Sequence, residues 1–392
     1  MMYRKFSADY LFTGSSILDN DDVLVINSGG EIMDIINKPE AGDDIEKLNG
    51  ILCPGFVNAH CHLELSHLKG LIPEHTGLIE FVFKIVTERH FDKKEILECI
   101  ESEEKNMLKC GIVAVGDVCN NDLSLSQKQK GNIAYYNFIE ATGWNPGVAS
   151  LRFEKVKLFY EEFTQHDEKV SIVPHSPYSV SKELWGKIAP FFPRKVITIH
   201  NQETKDEDIF FLQGEGELSS MYKKMNIDNS FYKHPGARSI ETYFKNFSDS
   251  ASVILVHNTF MEQLDLNYID KNKSPRQLIS FCLCPNANLY IENTLPPVEM
   301  FLRNNCNVVI GTDSLASNHQ LNILEELKTI GKNFPAIATE TLLTWATING
   351  ARALQMDNIL GSFEKGKKPG VVLIENVEGK NITDISSARR IL

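Results

Sequence analysis

The sequence predicts an α/β fold: a barrel of parallel βαβ units with a small β-domain drawn from both chain ends. Three observations carry that reading. From about residue 50, short β-branched runs alternate with longer stretches of helical periodicity, as in parallel strands joined by crossover helices. The strand-like runs end in polar or ionisable clusters, as expected where loops converge on one face of a barrel above packed strands. The first fifty and last thirty residues read instead as short strand pieces broken by Gly and Ser turns, and neither end can bury a core alone.

Taken in order, Tyr10-Leu11-Phe12 and Asp22-Val23-Leu24-Val25-Ile26 are strand pieces of the N-terminal part. Asp92 is placed to cap a helix with Glu95 three residues on; Ile96, Ile100, Met107 and Leu108 recur at helical spacing, and Gly111 stops the run. The strand Ile112-Val113-Ala114-Val115 follows at once. Further strands are read at Lys169 to Val173, Val196 to Ile199, Val253 to Val256, Leu278 to Leu283 and Val308 to Ile310. They run into Pro174-His175-Ser176, His200-Asn201-Gln202-Glu203, His257-Asn258, Cys284-Pro285-Asn286 and Gly311-Thr312-Asp313-Ser314. Residues 202–247, rich in charge and glycine, read as either a solvated surface excursion or a substrate lid. The C-terminal part, with Gly361-Ser362-Phe363 and Val371-Val372-Leu373-Ile374, is expected to pair with the N-terminal one.

Composition narrows the function. A chain of 392 residues with 42% apolar residues can pack a large core, and 40 Lys and Arg against 52 Asp and Glu leave a net charge of −12, a poor match for nucleic acid or anionic membrane. No stretch has the roughly 18 apolar residues needed to span a bilayer, and no signal core follows the first residues, so a cytoplasmic protein is expected. The eight cysteines are scattered and never spaced Cys-x-x-Cys, which suits reduced thiols rather than disulfides or a zinc ribbon.

Five of the eleven histidines, His60, His62, His175, His200 and His257, fall where strands are expected to end. A histidine there is ordinarily a hydrogen-bonded packing residue. His60 and His62 stand two apart after an apolar strand, however, and period-2 geometry sends both side chains to one side. With His200 and Asp313 ending later strands, the set becomes three neutral nitrogens and one carboxylate, suited to a single divalent ion, Zn²⁺ or Fe²⁺.

The motifs Pro54-Gly55-Phe56-Val57-Asn58-Ala59-His60-Cys61-His62, His200-Asn201-Gln202-Glu203 and Gly311-Thr312-Asp313-Ser314, in that order, resemble the amidohydrolase superfamily. More narrowly they resemble its mononuclear branch of nucleobase and nucleoside deaminases and related chlorohydrolases. The similarity extends to Asn349-Gly350-Ala351-Arg352-Ala353-Leu354 and to Gly361 through Lys367. It implies a distorted (β/α)₈ TIM barrel over 53–361, with a β-sandwich formed by 1–52 and 362–392. It also implies metal ligation by His60, His62, His200 and Asp313, proton shuttling by Glu203, and orientation of water or leaving group by His257. In such a site Asp313 accepts a proton from water, and Glu203 protonates the ring nitrogen beside the carbon under attack.

Binuclear relatives carry a carboxylated lysine at the end of the fourth strand; here that place holds Pro174-His175-Ser176-Pro177-Tyr178, which implies one metal. Cys282-Leu283-Cys284-Pro285 has the wrong order and spacing for the other class of zinc deaminase. The form His62-Leu63-Glu64-Leu65-Ser66 together with His175-Ser176-Pro177-Tyr178-Ser179 is more similar to aminodeoxyfutalosine deaminases. Glu64 is then a substrate contact to ribose or base amine, or a brace for the His62 loop, and His175 a base or sugar contact. An anionic nucleoside needs a cation, for which Arg238, Arg89 and Lys69 are available. The expected activity is release of ammonia from a purine-like nucleoside or base, a small heterocyclic substrate. The competing readings are hydrolysis of another C–N or C–Cl bond and an inactive scaffold. Relatives are often homo-oligomers.

Overall fold

Strands covered by helices on both faces need apolar side chains at nearly every position rather than every second one. The runs read from the sequence supply them. In the computed structural model, which describes residues 3–88 and 90–392, they form two four-stranded, all-parallel sheets. The first holds β1 (Phe56–Cys61), β2 (Ile112–Cys119), β3 (Ala134–Ala141) and β4 (Val170–Pro174) in the order β4-β3-β2-β1. The second holds β5 (Val196–Asn201), β6 (Ser252–His257), β7 (Leu278–Leu283) and β8 (Asn307–Ile310) in sequence order. All residues of β1, β2, β5 and β6 are buried. The outer strands of the two sheets touch at both seams: Thr312 N–H and Asp313 N–H donate to the His60 carbonyl at 3.0 and 3.2 Å, and His200 N–H donates to the His175 carbonyl at 2.9 Å.

Helices α1 (Leu78–Glu88) and α2 (Lys93–Lys109) follow β1, α3 (Leu125–Lys128) follows β2, α4 (Ala149–Thr164) follows β3, and α5 (Lys182–Ile188) follows β4. The predicted cap is in place on α2, where the Asp92 carboxylate accepts the Lys94 N–H at 2.8 Å. Ile96, Ile100 and Met107 are buried. Gly111 ends the run at φ +90°, and a Cβ there would lie 2.4 Å from Val372 Cγ2, so both conformation and space require glycine. Strand β3 is the one that periodicity does not reveal. Its Asn137 and Glu140 break the apolar pattern, yet both are buried because they bond Lys128 and Asn120.

Residues 202–247 are more regular than their composition suggests. They hold α6 (Asp206–Gln213), α7 (Glu217–Lys224) and α8 (Ser239–Tyr243), and α9 (Gln263–Asn272) follows β6. Ile240 and Tyr243 of α8, with Phe244 and Phe247 after it, join the main core, but the apolar side chains of α6 and α7 do not. Phe210, Leu218, Met221 and Tyr222 pack with Leu68, Leu78, Phe81, Trp144 and Tyr178 in a second cluster, fed by segments that follow the C-terminal ends of β1, β3, β4 and β5.

The chain ends make two further sheets. One orders Ile32–Asn37, Asp22–Asn27, Tyr3–Ser7 and Glu46–Lys47; the other orders Ser387–Arg390, Val371–Glu375, Ile51–Pro54, Tyr10–Phe12 and Ile17–Leu18. Val372 pairs with Cys53 in an antiparallel ladder, which brings the C-terminal segment onto the N-terminal one. Phe6, Leu11, Leu24, Ile26, Leu52, Phe363 and Leu373 form the core shared by the two sheets. Among the described residues, no helix is long and apolar enough to cross a membrane.

Candidate active site and metal centre

The polar clusters predicted at strand ends converge. His60 stands in β1, His200 in β5 and His257 at the end of β6, with His62 one residue beyond β1 and Asp313 three beyond β8. Four non-glycine residues here turn into the left-handed region: Gln202 (φ 46°), His257 (φ 69°), Asn258 (φ 56°) and Asp313 (φ 55°). Such conformations cost of order 1–3 kcal/mol each and persist where the surroundings over-determine them. Here they bring side chains from the strand ends toward one point.

His62 Nε2 lies 3.3 Å from His200 Nε2 and 3.5 Å from Asp313 Oδ1, and His60 Nε2 is also 3.5 Å from that oxygen. His60, His200, His257 and Asp313 offer ligand atoms all within 4.8 Å of one another. Among the described residues, the His60 ring nitrogens, His62 Nδ1 and His257 Nε2 are buried without a hydrogen-bond partner, a costly arrangement unless another group binds there. Three imidazoles and a carboxylate, with orphaned nitrogens among them, fit a divalent cation. Their protonation agrees. Burial holds His60 and His200 below the ordinary imidazole range, so they stand neutral, as ligation requires. Burial pushes the Asp313 carboxyl up, but His60 Nε2, 3.5 Å away, and the nearby His62 and His257 outweigh it and keep Asp313 ionised.

Neighbours fix the orientation of each group. His200 Nδ1 donates to the His175 carbonyl at 2.8 Å, which leaves Nε2 facing the centre. Ser317 Oγ donates to Asp313 Oδ2 at 2.5 Å, leaving Oδ1 to the histidines. Glu203 Oε1 is 3.5 Å from His257 Nε2, and Asn288 Nδ2 donates to His257 Nδ1 at 3.4 Å. Burial raises the Glu203 carboxyl well above its usual range, and the charge of Asp313 adds to it, which favours its protonated form. His257 is lowered to about 3 by burial.

His62, His200, Glu203, His257 and Asp313 line a cavity of about 330 Å³. Its opposite wall is apolar, with Phe81, Val82, Trp144, Tyr178, Met221 and Tyr222. Glu64 and His175 both face it. Glu64 Oε2 also accepts the Asn120 N–H at 3.0 Å, so it braces the turn after His62 while lining the cavity. His175 Nδ1 sits 3.0 and 2.9 Å from the hydroxyls of Ser176 and Ser179, and burial lowers its pKa to about 3. A second cavity of about 300 Å³ adjoins the first, sharing Glu64, Asn120, Glu140, Thr142 and Arg152.

Arg238 is not brought to the cavity, which corrects the sequence expectation. Its guanidinium is taken up by Asp265 (2.6 Å), Asp208 (2.8 Å) and Glu262 (2.9 Å), tying α8 to α6 and α9. Lys69 is exposed and lines neither cavity, and Arg89 lies outside the described residues. The cation that does line both cavities is Arg152, at the start of α4. No local pattern marks it. Glu140, by contrast, obeys the strand-end rule and is hidden only because β3 is.

A model of the amidohydrolase family matches residues 51–390, and the chain belongs to that family. It is 24% identical over 370 residues to a 5′-deoxyadenosine deaminase of Methanosphaera stadtmanae, covering 90% of this chain and 80% of that one. Among solved structures it resembles the aminofutalosine deaminase of Helicobacter pylori, with a TM-score of 0.80, 19% identity, and 97% and 94% of the two chains covered. It also resembles an adenosine deaminase from Xanthomonas campestris with bound zinc, at a TM-score of 0.70, 20% identity, and 95% and 84% coverage.

Proposed function

We propose that the protein is a metal-dependent hydrolytic deaminase that releases ammonia from an amino-substituted, adenosine-type nucleoside. The observation that carries this is the meeting of Glu203, Asp313 and the imidazoles of His62, His200 and His257 on the floor of one cavity, with burial raising the Glu203 carboxyl and the imidazoles holding that of Asp313 down. Family membership and a relative named 5′-deoxyadenosine deaminase support it. Both seams between the two parallel sheets carry hydrogen bonds, which supports reading them as one distorted (β/α)₈ barrel over 53–361. The two sheets of the chain ends, with their common core, support a β-sandwich domain built from 1–52 and 362–392. The strand Ile51–Pro54 straddles the junction.

His60, His62, His200 and Asp313 are the proposed ligands of one ion, zinc by their donor set and by the zinc of a similar fold, with Fe²⁺ the second candidate. Bound there, such an ion supplies a Lewis acid that brings the pKa of water down to about 7. The chain does the rest. Asp313 Oδ1 takes a proton from the attacking water, its other oxygen being held by Ser317. Glu203 passes its proton to the ring nitrogen next to the amino-bearing carbon; as the adduct collapses its hydroxyl gives a proton back to Glu203, the proton held by Asp313 goes to the amine, and the C–N bond breaks to release ammonia. His257, between Glu203 and Asn288, orients the water or the leaving group. Glu64 and His175 contact base or sugar, and the apolar wall takes the rest of the substrate, up to a group the size of aminodeoxyfutalosine's.

The net charge of −12 supports a small-molecule partner rather than nucleic acid or membrane. Free cysteines support a cytoplasmic setting, and Leu151 and Leu158, 72% and 66% exposed on one face of α4, support a homo-oligomer. Metal analysis and an ammonia-release screen test the whole reading. About one divalent ion per chain and turnover of an adenosine derivative are expected. Two tightly held ions, or turnover confined to a chlorinated heterocycle, would overturn it.

A further inference from the structure

His60 and His62 are held in different ways. His60 lies inside the ladder of β1, whereas His62 lies past its end, with φ −121° and ψ 77°. The ladder with β2 slips just before its end: Asn58 pairs with Val115 but Cys61 pairs with Asp117, a slip of one residue that spans Ala59 and His60. Beyond that slip the next amide, Leu63 N–H, donates not to a neighbouring carbonyl but to Asp117 Oδ1, at 2.8 Å. Asp117 is fully buried in β2, and its other oxygen lies 2.5 Å from Lys128 Nζ of α3. Lys128 is buried too, and donates to Asn137 Oδ1 at 2.8 Å. A lone carboxylate at such a place would be strongly penalised. Paired with Lys128 it is an acceptor with both oxygens fixed, set directly against the residue that follows His62.

We propose that Asp117, backed by Lys128, is the positioning residue for His62: it replaces the lost ladder bond and so places the His62 imidazole in the proposed metal centre. This rests on the metal reading above. Outer groups that orient ligands are typically worth 10–100-fold in metal affinity. The Leu63 amide, rather than the ion pair as such, is the point of action, and that separates the idea from a general stabilising role.

The test uses the full chain loaded with Co²⁺, reading its ligand-field absorption and the rate of Co²⁺ release to excess chelator. Two double variants remove the charge pair together and leave no unpaired buried ion. Asp117→Asn/Lys128→Met keeps an oxygen for Leu63 N–H; Asp117→Leu/Lys128→Met does not. The first should hold the wild-type spectrum and release rate to within a few fold, and the second should shift the spectrum and release Co²⁺ about 10–100-fold faster. If the leucine double does not fold, Asp117→Ala/Lys128→Met takes its place. Glu104→Gln is the control for destabilisation alone: Glu104 is buried nearby, and its hydrogen bonds go to Tyr135, Asn132 and Gln127 rather than to Leu63 N–H. It should lower Tm and leave the spectrum unchanged. Equal spectra and release rates in the two doubles overturn the proposal, whereas a wild-type chain that takes up no Co²⁺ overturns the metal reading beneath it.

Discussion

The floor of the cavity is made of strand ends and the opposite wall of helices and turns. On the floor, His60, His200 and His257 belong to β1, β5 and β6, whose ladders fix them, and Asp313 is held by Ser317 and by its own N–H on the His60 carbonyl. On the wall, Phe81 comes from α1, Met221 and Tyr222 from α7, and Trp144 from the turn before α4. Those side chains touch one another: Trp144 stacks on Tyr222 with ring centroids 5.3 Å apart and bonds Asn229 through Nε1. A change of size on the floor disturbs the ladders and the charge balance together. On the wall it changes only what fits. On the proposed reading, then, the floor would fix the reaction and the wall the reactant.

The sharpest way to break that division is Glu203→Gln. Shape and polarity are nearly kept, but the carried proton is lost, so kcat should fall by ~10²–10⁴-fold while metal content stays at the wild-type level. Full turnover in this variant would remove Glu203 from proton transfer. Trp144→Ala, on the wall, should do the reverse. Losing most of a buried aromatic contact costs roughly 1.5–3 kcal/mol, so KM for the best nucleoside should rise about 10–100-fold with kcat little changed. A kcat loss as large as that of Glu203→Gln would mean that the two regions are not separable. Arg152→Ala sharpens the same comparison. Arg152 lines both cavities, so KM should rise about 10-fold for carboxylate-bearing nucleosides and hardly at all for neutral ones. Equal effects on both would place Arg152 outside recognition.

The same division explains what is legible in the sequence. Ladder residues repeat at a fixed spacing, so His60, His62, His200, His257 and Asp313 stand out at strand ends from the order of residues alone. The fold brings them within one centre. Glu140 is hidden along with β3, whose apolar pattern is broken by Asn137 and Glu140 for the sake of buried polar bonds. Arg238 misleads for a different reason: a cation in a loop carries no sign of whether it meets substrate or, as here, three carboxylates of its own chain. The wall is least legible. Its cluster draws on residues from Leu68 to Ala316, and no local period links them.

Glu207 sits at the joint between the two regions. It accepts the Gln202 N–H at 3.0 Å, just past β5, and the Ser239 hydroxyl at 2.6 Å, at the start of α8. Burial raises its pKa to about 8, with Asp208 and Asp265 adding to the rise and the two hydrogen bonds opposing it. An unfolded glutamate titrates near ~4.3, so between that pH and about 8 the folded chain binds the extra proton. The stability Glu207 contributes is fully present below the unfolded pKa and is lost as pH rises through the folded one. Glu207→Gln removes the titration. The fall in Tm between pH 5 and pH 8 should therefore be smaller in the variant, by about 2–4 °C. Glu326, likewise raised to about 8 by burial, keeps the flattening partial. At pH 6, below about 8, Glu207 is already neutral, so glutamine keeps its charge and its acceptor oxygen, and kcat and KM there should stay close to wild type. A variant whose Tm follows the wild-type pH curve would show that Glu207 is already ionised in the folded chain, with its two donors outweighing burial.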